Sequence, residues 1–447
     1  MKKLVQVTCG WKLFVVQFML VFCVHFKVKV LMMNVIIVGA GASGMMAAIN
    51  IKKSNKNIDV KILEHQDKAG RKLLATGNGR CNLTNKKMNI ECFRSHDLDR
   101  IESWLKKCDT DRVIDFFGEL GMICTDKNGY VYPNSYQAST VNDTLIMACK
   151  EYGVEILYDV HVIDAQKTLE GKYEILSSVG YEEDNIRKKK RVTYTADVLV
   201  LATGSKAYSV LGSDGSGYGI AKNLGLKMYP SVPALTSLKC KETVYKKGAG
   251  VRCQAKIELY VDHERMAEDT GELQLTEYGI SGIPVFQVSR YASYGLNDGC
   301  KVHVNIDFMP DYTEEQVESF FNSRKDVSIY RVLCGMLNSK LVSMLLAYLR
   351  IDEGIRVSAL TNKEFVDVLK AVKSFYSVVI ETNDFSQAQV CAGGIKLSEV
   401  DDTFQTVKYP DLYITGELLD VDGICGGYNL HWAWLTGIIV GTAIGDK

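Results

Sequence analysis

Residues 35–64 read VIIVGAGASGMMAAINIKKSNKNIDVKILE, and no other stretch of the 447-residue chain restricts its fold as strongly. A β-branched apolar run leads into Gly39, Gly41 and Gly44, a helix-compatible segment follows, and a second apolar run ends at Glu64. That order is the βαβ unit of a dinucleotide-binding α/β fold. The first glycine makes the tight turn, the second lets backbone approach a pyrophosphate, and the third lets helix and strand pack closely. Ala40, Ala42 and Ser43 complete the turn, where the helix N-terminus attracts phosphate. Glu64 lies 64 − 44 = 20 residues past Gly44, a spacing at which a carboxylate accepts hydrogen bonds from a ribose 2′-OH. An acid there disfavours a 2′-phosphate, and with it NADP in this pocket.

With 47% hydrophobic and 24% charged residues, the chain can bury a sizeable core in two or three domains. Lys plus Arg equals Asp plus Glu at 53 each, so no global field draws the protein to nucleic acid or an anionic membrane, and the expected partner is a small-molecule substrate. The run Arg187–Arg191 follows three acids between strand-like segments and reads as a solvated hairpin tip. Thirteen cysteines are scattered without a CxxC pair. That pattern suggests no disulfide framework and no metal site, fits a reduced cytoplasmic setting, and speaks against catalysis through a cysteine pair. Residues 1–32 imitate a signal peptide, but no small-residue cleavage site follows, Lys27 and Lys29 interrupt the apolar stretch, and it is too short to span a bilayer. A mis-assigned start or a disordered extension is expected there, without stable membrane insertion.

Further along, GRKLLATGNGRCNLTN at 70–85 has little hydrophobic periodicity and reads as an ordered loop, a kind of segment that often carries function. Residues 110–121 and 139–152 have helical spacing around the turn-like KNGYVYPNSYQ. Short strands follow from 153 to 200, and ADVLVLATG at 196–204 is a buried strand running into a small-residue turn. Residues 235–310 alternate as a mainly β insertion does, and 313–372 look helical. The C-terminus returns to a strand at 412–415, a turn at Gly416-Glu417, a loop through Asp420–Gly427 and a helix from Tyr428. Gly437, Gly441 and Gly445 recur every four residues and give that helix a smooth packing face. Gly426-Gly427 precede it, so N–H groups and a positive helix end would meet a ligand and stabilise negative charge, as reduced flavin requires at N1–C2=O.

Taken together, GAGASG, GRKLLATGNGRCNLTN, LATGSKAYSVLGSDGSGYG and GELLDVDGICGGYNLHWAW resemble the FAD-dependent oxidoreductases grouped as aminoacetone-oxidase-like or bile-acid-inducible-N-like, from about Met33 to Lys447. The resemblance implies a Rossmann-like FAD-binding domain formed by both chain ends, 33–230 and 385–447. An inserted mainly β domain at 231–312 and a small helical domain at 313–384 would lie between them. It implies that the ADP part of FAD rests on Gly39, Ala40, Gly41, Ala42, Ser43, Gly44 and Glu64. Arg71, Lys72, Thr76, Gly79, Arg80, Cys81 and Asn82 would run towards the flavin, with Val160 also at the cofactor and Ala202, Thr203 and Gly204 closing over it. Gly416 and Glu417 would meet the ribityl-phosphate region, and Gly426, Gly427, Tyr428 and Asn429 the pyrimidine edge.

The implied chemistry is a flavin reduced by NAD(P)H that passes hydride to an organic acceptor, such as the C=C bond of a steroid-like enone. Amine oxidation with O2 is the alternative within the class, and an RNA-modifying or non-catalytic flavin-binding protein the alternative outside it. No second GxGxxG flanked by strand and helix occurs, so a nicotinamide would bind transiently in an open cleft. A general acid for enone reduction could be Tyr132, Tyr136 or His431, each equally consistent with a structural use, and no catalytic residue is assigned. Gly279-Ile280-Ser281-Gly282 is not a nucleophile elbow, because Ile283 takes the last position.

Overall fold

In the computed structural model, which describes residues 32–183 and 186–447, strand Asn34–Val38 is the centre of a five-stranded parallel sheet. It pairs with Asp59–Leu63 on one side and Val198–Leu201 on the other, and Glu155–Leu157 and Leu412–Ile414 form the edges. Parallel strands covered on both faces need near-continuous apolar runs, and Val35, Ile37, Leu199, Val200 and Ile414 are fully buried. The edge strand Leu412–Ile414 comes from the far end of the chain, so both ends build this domain. Residues 1–31, 184 and 185 lie outside the described residues; the run Arg187–Arg191, expected to be a hairpin tip, belongs instead to strand Ile186–Ala196, where antiparallel pairing with Tyr173–Glu183 continues through it and leaves Lys188–Arg191 exposed.

Helix Tyr428–Gly445 packs along helix Ala42–Ser54. A Cβ on Gly437 would lie 2.7 Å from the Ser43 carbonyl oxygen, one on Gly441 2.7 Å from that of Ala47, and one on Gly445 2.4 Å from Ser54 Cβ. The four-residue glycine spacing is therefore the contact face.

The chain leaves this domain along Met228–Ala234 and returns along the antiparallel partner Val390–Ile395. Between them lies a closed six-stranded barrel, ordered Leu238–Cys240, Gly279–Gly282, Glu264–Thr276, Arg252–Val261, Val302–Asp307 and Phe375–Thr382. Its last strand falls within the stretch 313–384 expected to be a separate helical domain. Helices Glu314–Asn322, Ile329–Cys334, Ser339–Leu349 and Asn362–Lys373 precede that strand and share one hydrophobic core with the barrel through Phe321, Leu333, Leu345, Val372 and Phe375. Amphipathic helices must bury their apolar face somewhere, and here the barrel provides the surface. Thr313 with Gln316 and Thr361 with Glu364 close capping boxes on two of them.

Candidate functional site

A cavity of about 550 Å³ follows the sheet's glycine-rich turn, the loop 70–82 and the segment before the C-terminal helix, and one side is walled by the inserted unit. Gly39–Ser43, Glu64, Arg71, Lys72, Thr76, Asn82, Val160, Ala202–Gly204, Gly416, Glu417, Gly426, Gly427 and Asn429 line it. Gly44, Gly79, Arg80, Cys81 and Tyr428, also assigned to the cofactor from sequence, are not part of that lining.

The glycine turn explains one of these differences. Gly39 has φ +105°, and a Cβ there would lie 2.5 Å from the Ala202 carbonyl oxygen; a Cβ on Gly44 would lie 2.1 Å from that of Gly39. Gly44 thus permits helix–strand packing and faces the protein. Gly41 differs, because among the described residues a Cβ there meets no atom within 4 Å beyond its own helix and chain neighbours. The helix that follows has neither a side-chain cap nor an acid in its first turn, so its leading N–H groups lack intrahelical partners. Beside it, Glu64 Oε2 accepts the Ala40 N–H at 2.8 Å and Oε1 accepts that of Gln66 at 2.9 Å. A hydrogen bond to Glu64 holds the neighbouring His65 imidazole above its usual value, against the effect of burial.

In the middle of the cavity, Lys72 Nζ lies 2.6 Å from Glu417 Oε2, which also accepts Ser205 Oγ at 2.9 Å. This joins the loop 70–82 to the C-terminal segment. The loop folds as helix Arg71–Ala75 and a tight turn in which Gly77, Asn78, Gly79 and Cys81 all have left-handed φ. Cys81 is fully buried and burial pushes its thiol up to about 12, so it packs beneath the turn, while Arg80 points into solvent. Asn82 Oδ1 is a buried acceptor with no hydrogen-bond partner among the described residues.

At the other end, Gly426 and Gly427 take φ +134° and +95° and lead into a second helix without a side-chain cap. Asn85 Nδ2 donates to the Gly426 carbonyl at 3.0 Å, and Asn429 exchanges hydrogen bonds of 2.8 and 2.9 Å with Gly423. The Tyr428 hydroxyl donates to the Lys87 carbonyl at 3.1 Å and its ring packs edge-on to Phe93, which takes it out of the cavity. The rest of the motif locks other segments in place: Trp432 Nε1 donates to the Gly416 carbonyl at 3.1 Å and Trp434 Nε1 to that of Leu83 at 3.0 Å. Two uncapped helix N-termini and an Asn82 oxygen unpartnered among the described residues, all on one cavity, fit a dinucleotide with its diphosphate at one helix end and an anionic ring edge at the other.

His431 does not serve as a general acid at this cavity. It is fully buried, with Nε2 3.1 Å from the Cys108 carbonyl and Nδ1 2.9 Å from Thr84 Oγ1. A carbonyl only accepts, so Nε2 carries the proton and Nδ1 accepts from the threonine, and burial pushes the ring down to about 4. Tyr136 is exposed and outside the lining, whereas Tyr132 is half-buried within it and burial raises its hydroxyl. Sequence reasoning missed Tyr130 and the inserted unit's own contribution, Leu235, Ile283, Gln287, Gln389 and Val390. Only the docking of that unit brings them here. The GISG strand was the available signal: it pairs into the barrel and turns directly into helix Ile283–Asn297, which carries two of these residues.

The chain is similar over 94% of its length, and 99% of the other's, to the structure of 3-ketosteroid-delta4-(5alpha)-dehydrogenase from Rhodococcus jostii RHA1, at 14% identity and a TM-score of 0.47. It is 26% identical over 407 residues, 90% of this chain and 95% of the relative, to a ribosomal RNA dihydrouridine synthase of Escherichia coli. It is 41% identical over 416 residues, 92% of this chain and 98% of the relative, to the 3-dehydro-bile acid delta(4,6)-reductase of Clostridium scindens. The family described as HI0933-like protein Rossmann domain matches residues 33–443. The chain belongs to this HI0933-like family and is an FAD-dependent oxidoreductase.

Proposed function

We propose that this protein reduces a carbon–carbon double bond conjugated to a carbonyl in a flat, apolar, steroid-like enone, with NAD(P)H as the transient source of electrons. The observation that carries this reading is the wall beyond Gly426-Gly427, in a chain 41% identical to a delta(4,6)-reductase. Leu235 and Val390 cluster there with Cys425, Ile283 lies one turn before Gln287, and Tyr132, Gln287 and Gln389 are neutral polar groups. The charged lining groups come instead from residues 64–72 and from Glu417, which Lys72 neutralises. An apolar substrate with a single carbonyl suits such a wall better than an amine does.

FAD, when bound, supplies the hydride. The residues named above as lining the cavity would hold it, with diphosphate at the Ala42–Ser43 N–H groups and the pyrimidine edge at the N-terminus of the last helix. Tyr132 then gives its O–H proton to the substrate's α-carbon as hydride reaches the β-carbon. Its half-exposed position lets solvent restore that proton. Dihydrouridine, too, is the product of saturating a conjugated double bond, but the equal counts of basic and acidic residues, 53 each, favour a small neutral acceptor over RNA. The test is anaerobic reduction with NADH or NADPH, followed by addition of a 3-oxo-4,6-diene steroid or ribosomal RNA, with an amine offered separately to the oxidised enzyme. The dienone should lose one double bond for each flavin reoxidised; reoxidation by RNA alone, or reduction of the oxidised flavin by the amine alone, would replace this reading.

A further inference from the structure

Two side chains one turn apart on helix Ile283–Asn297 reach across to the loop 420–427. Gln287 Oε1 accepts the Cys425 N–H at 3.0 Å, and Arg290 Nη2 lies 3.3 Å from Asp422 Oδ1. The same loop places Ile424, Cys425, Gly426 and Gly427 on the cavity wall. The entry of the helix is fixed by Gly282, at φ +105°, where a Cβ would lie 2.4 Å from the Glu272 carbonyl oxygen.

The charged contact is buried. The Arg290 and Asp422 side chains are 12% and 4% exposed. Asp420, 1% exposed, stands two residues earlier and accepts from His96 Nδ1 at 2.9 Å, from the His96 N–H at 3.0 Å and from Ser95 Oγ at 3.3 Å. Arg94, on the strand paired with Asp422-Gly423, also faces Asp422, as do Asp420 and Glu417 from its own segment. From the helix, Tyr291 and Tyr294 flank the guanidinium, with ring centroids 5.8 and 5.4 Å from its carbon. Arg290 Nε, Asp420 Oδ1 and Asp422 Oδ1 complete no hydrogen bond of good geometry among the described residues. One guanidinium from the inserted unit thus enters a buried site beside two carboxylates, an arrangement strongly sensitive to the loss of either sign.

We propose that Gln287 and Arg290 are positioning residues through which the inserted unit fixes the 420–427 loop against the flavin, and that the Arg290–Asp422 pair is the part of this grip that protonation releases. The inference rests on the reading that FAD occupies the cavity. Burial pushes the Asp422 carboxyl up to about 7, with Arg290 pulling it down and Asp420 pushing it up, so the pair changes state in the neutral range.

The experiment follows the absorbance spectrum of bound FAD between about pH 5 and pH 9 in the wild type and three variants. The wild type should show a transition centred near 7. Arg290→Gln should move its centre upward by about one pH unit or more, because an opposite charge at this range lowers a carboxyl by that much. Asp422→Asn should keep FAD and lose the transition. Gln287→Met should change the spectrum at every pH and leave the centre where it was. A flat wild-type spectrum with FAD bound, or a transition that survives Asp422→Asn and so belongs to another group, would overturn the proposal while leaving the cofactor reading intact. If one variant fails to fold, the wild-type transition and the other charge variant decide. A wild type that binds no FAD overturns the cofactor reading and this inference with it.

Discussion

A methyl group added at Gly41 meets open space, whereas one added at Gly44 meets the backbone of Gly39 at 2.1 Å. The two glycines should therefore fail differently. Gly41→Val should fold with an unchanged melting temperature and lose FAD affinity by roughly 5- to 150-fold, the effect of about 1–3 kcal/mol of overpacking expressed only when the ligand arrives. Titration of the apoprotein with FAD alongside a thermal melt separates the two effects; a destabilised variant with normal affinity would mean that Gly41 faces protein. At Tyr132, Phe should slow reoxidation by the enone about 10²- to 10⁴-fold, the usual range for removing a general acid. Reduction of the flavin by NAD(P)H should proceed as before, and an equal slowing of both half-reactions in rapid mixing would rule out the proton-donor role. The glycine spacing was legible because it follows from chain geometry alone. The roles of Cys81, Tyr428 and His431 were not, since each depends on burial beneath segments distant in sequence.

At the scale of elements, the contact of helix Tyr428–Gly445 with helix Ala42–Ser54 governs both ends of the cavity, because each helix presents its N-terminus there. Gly441→Ala would place a Cβ 2.5 Å from Asn50 Cβ. Neither backbone can yield cheaply, so this substitution should destabilise the protein by about 1–3 kcal/mol, visible as a lower denaturation midpoint at unchanged slope. A neutral effect would show that the helices have room to separate. This face was readable from the repeat of Gly437, Gly441 and Gly445. The closing strand of the barrel was not: Phe375–Thr382 follows four helices, and its partners Leu238–Cys240 and Val302–Asp307 lie far back in the chain.

For the whole molecule, the junction between the sheet domain and the inserted unit controls both the site and its pH response. The folded-state pKa of Asp422 is raised from the ordinary carboxylate range to about 7. Folding therefore disfavours its charged form, and the stability it permits is greatest below about pH 4, falls as pH rises towards 7 and is level above that. Asp422→Asn should remove this fall, so its melting temperature relative to wild type should be higher at pH 8 than at pH 5. The opposite slope would mean that Arg290 outweighs burial. Sequence could not show this junction, because nothing in the spacing of Gln287 and Arg290 announces that their partners lie at Cys425 and Asp422.

A crystal structure of the FAD-loaded protein measures the cofactor's placement directly. The diphosphate should lie against the N–H groups of Ala42 and Ser43, N1–C2=O of the flavin should face the backbone at Gly427 and Tyr428, and Leu235, Ile283 and Val390 should wall the space over the ring. FAD lying elsewhere, or with its ring turned away from the Gly426-Gly427 loop, would contradict it.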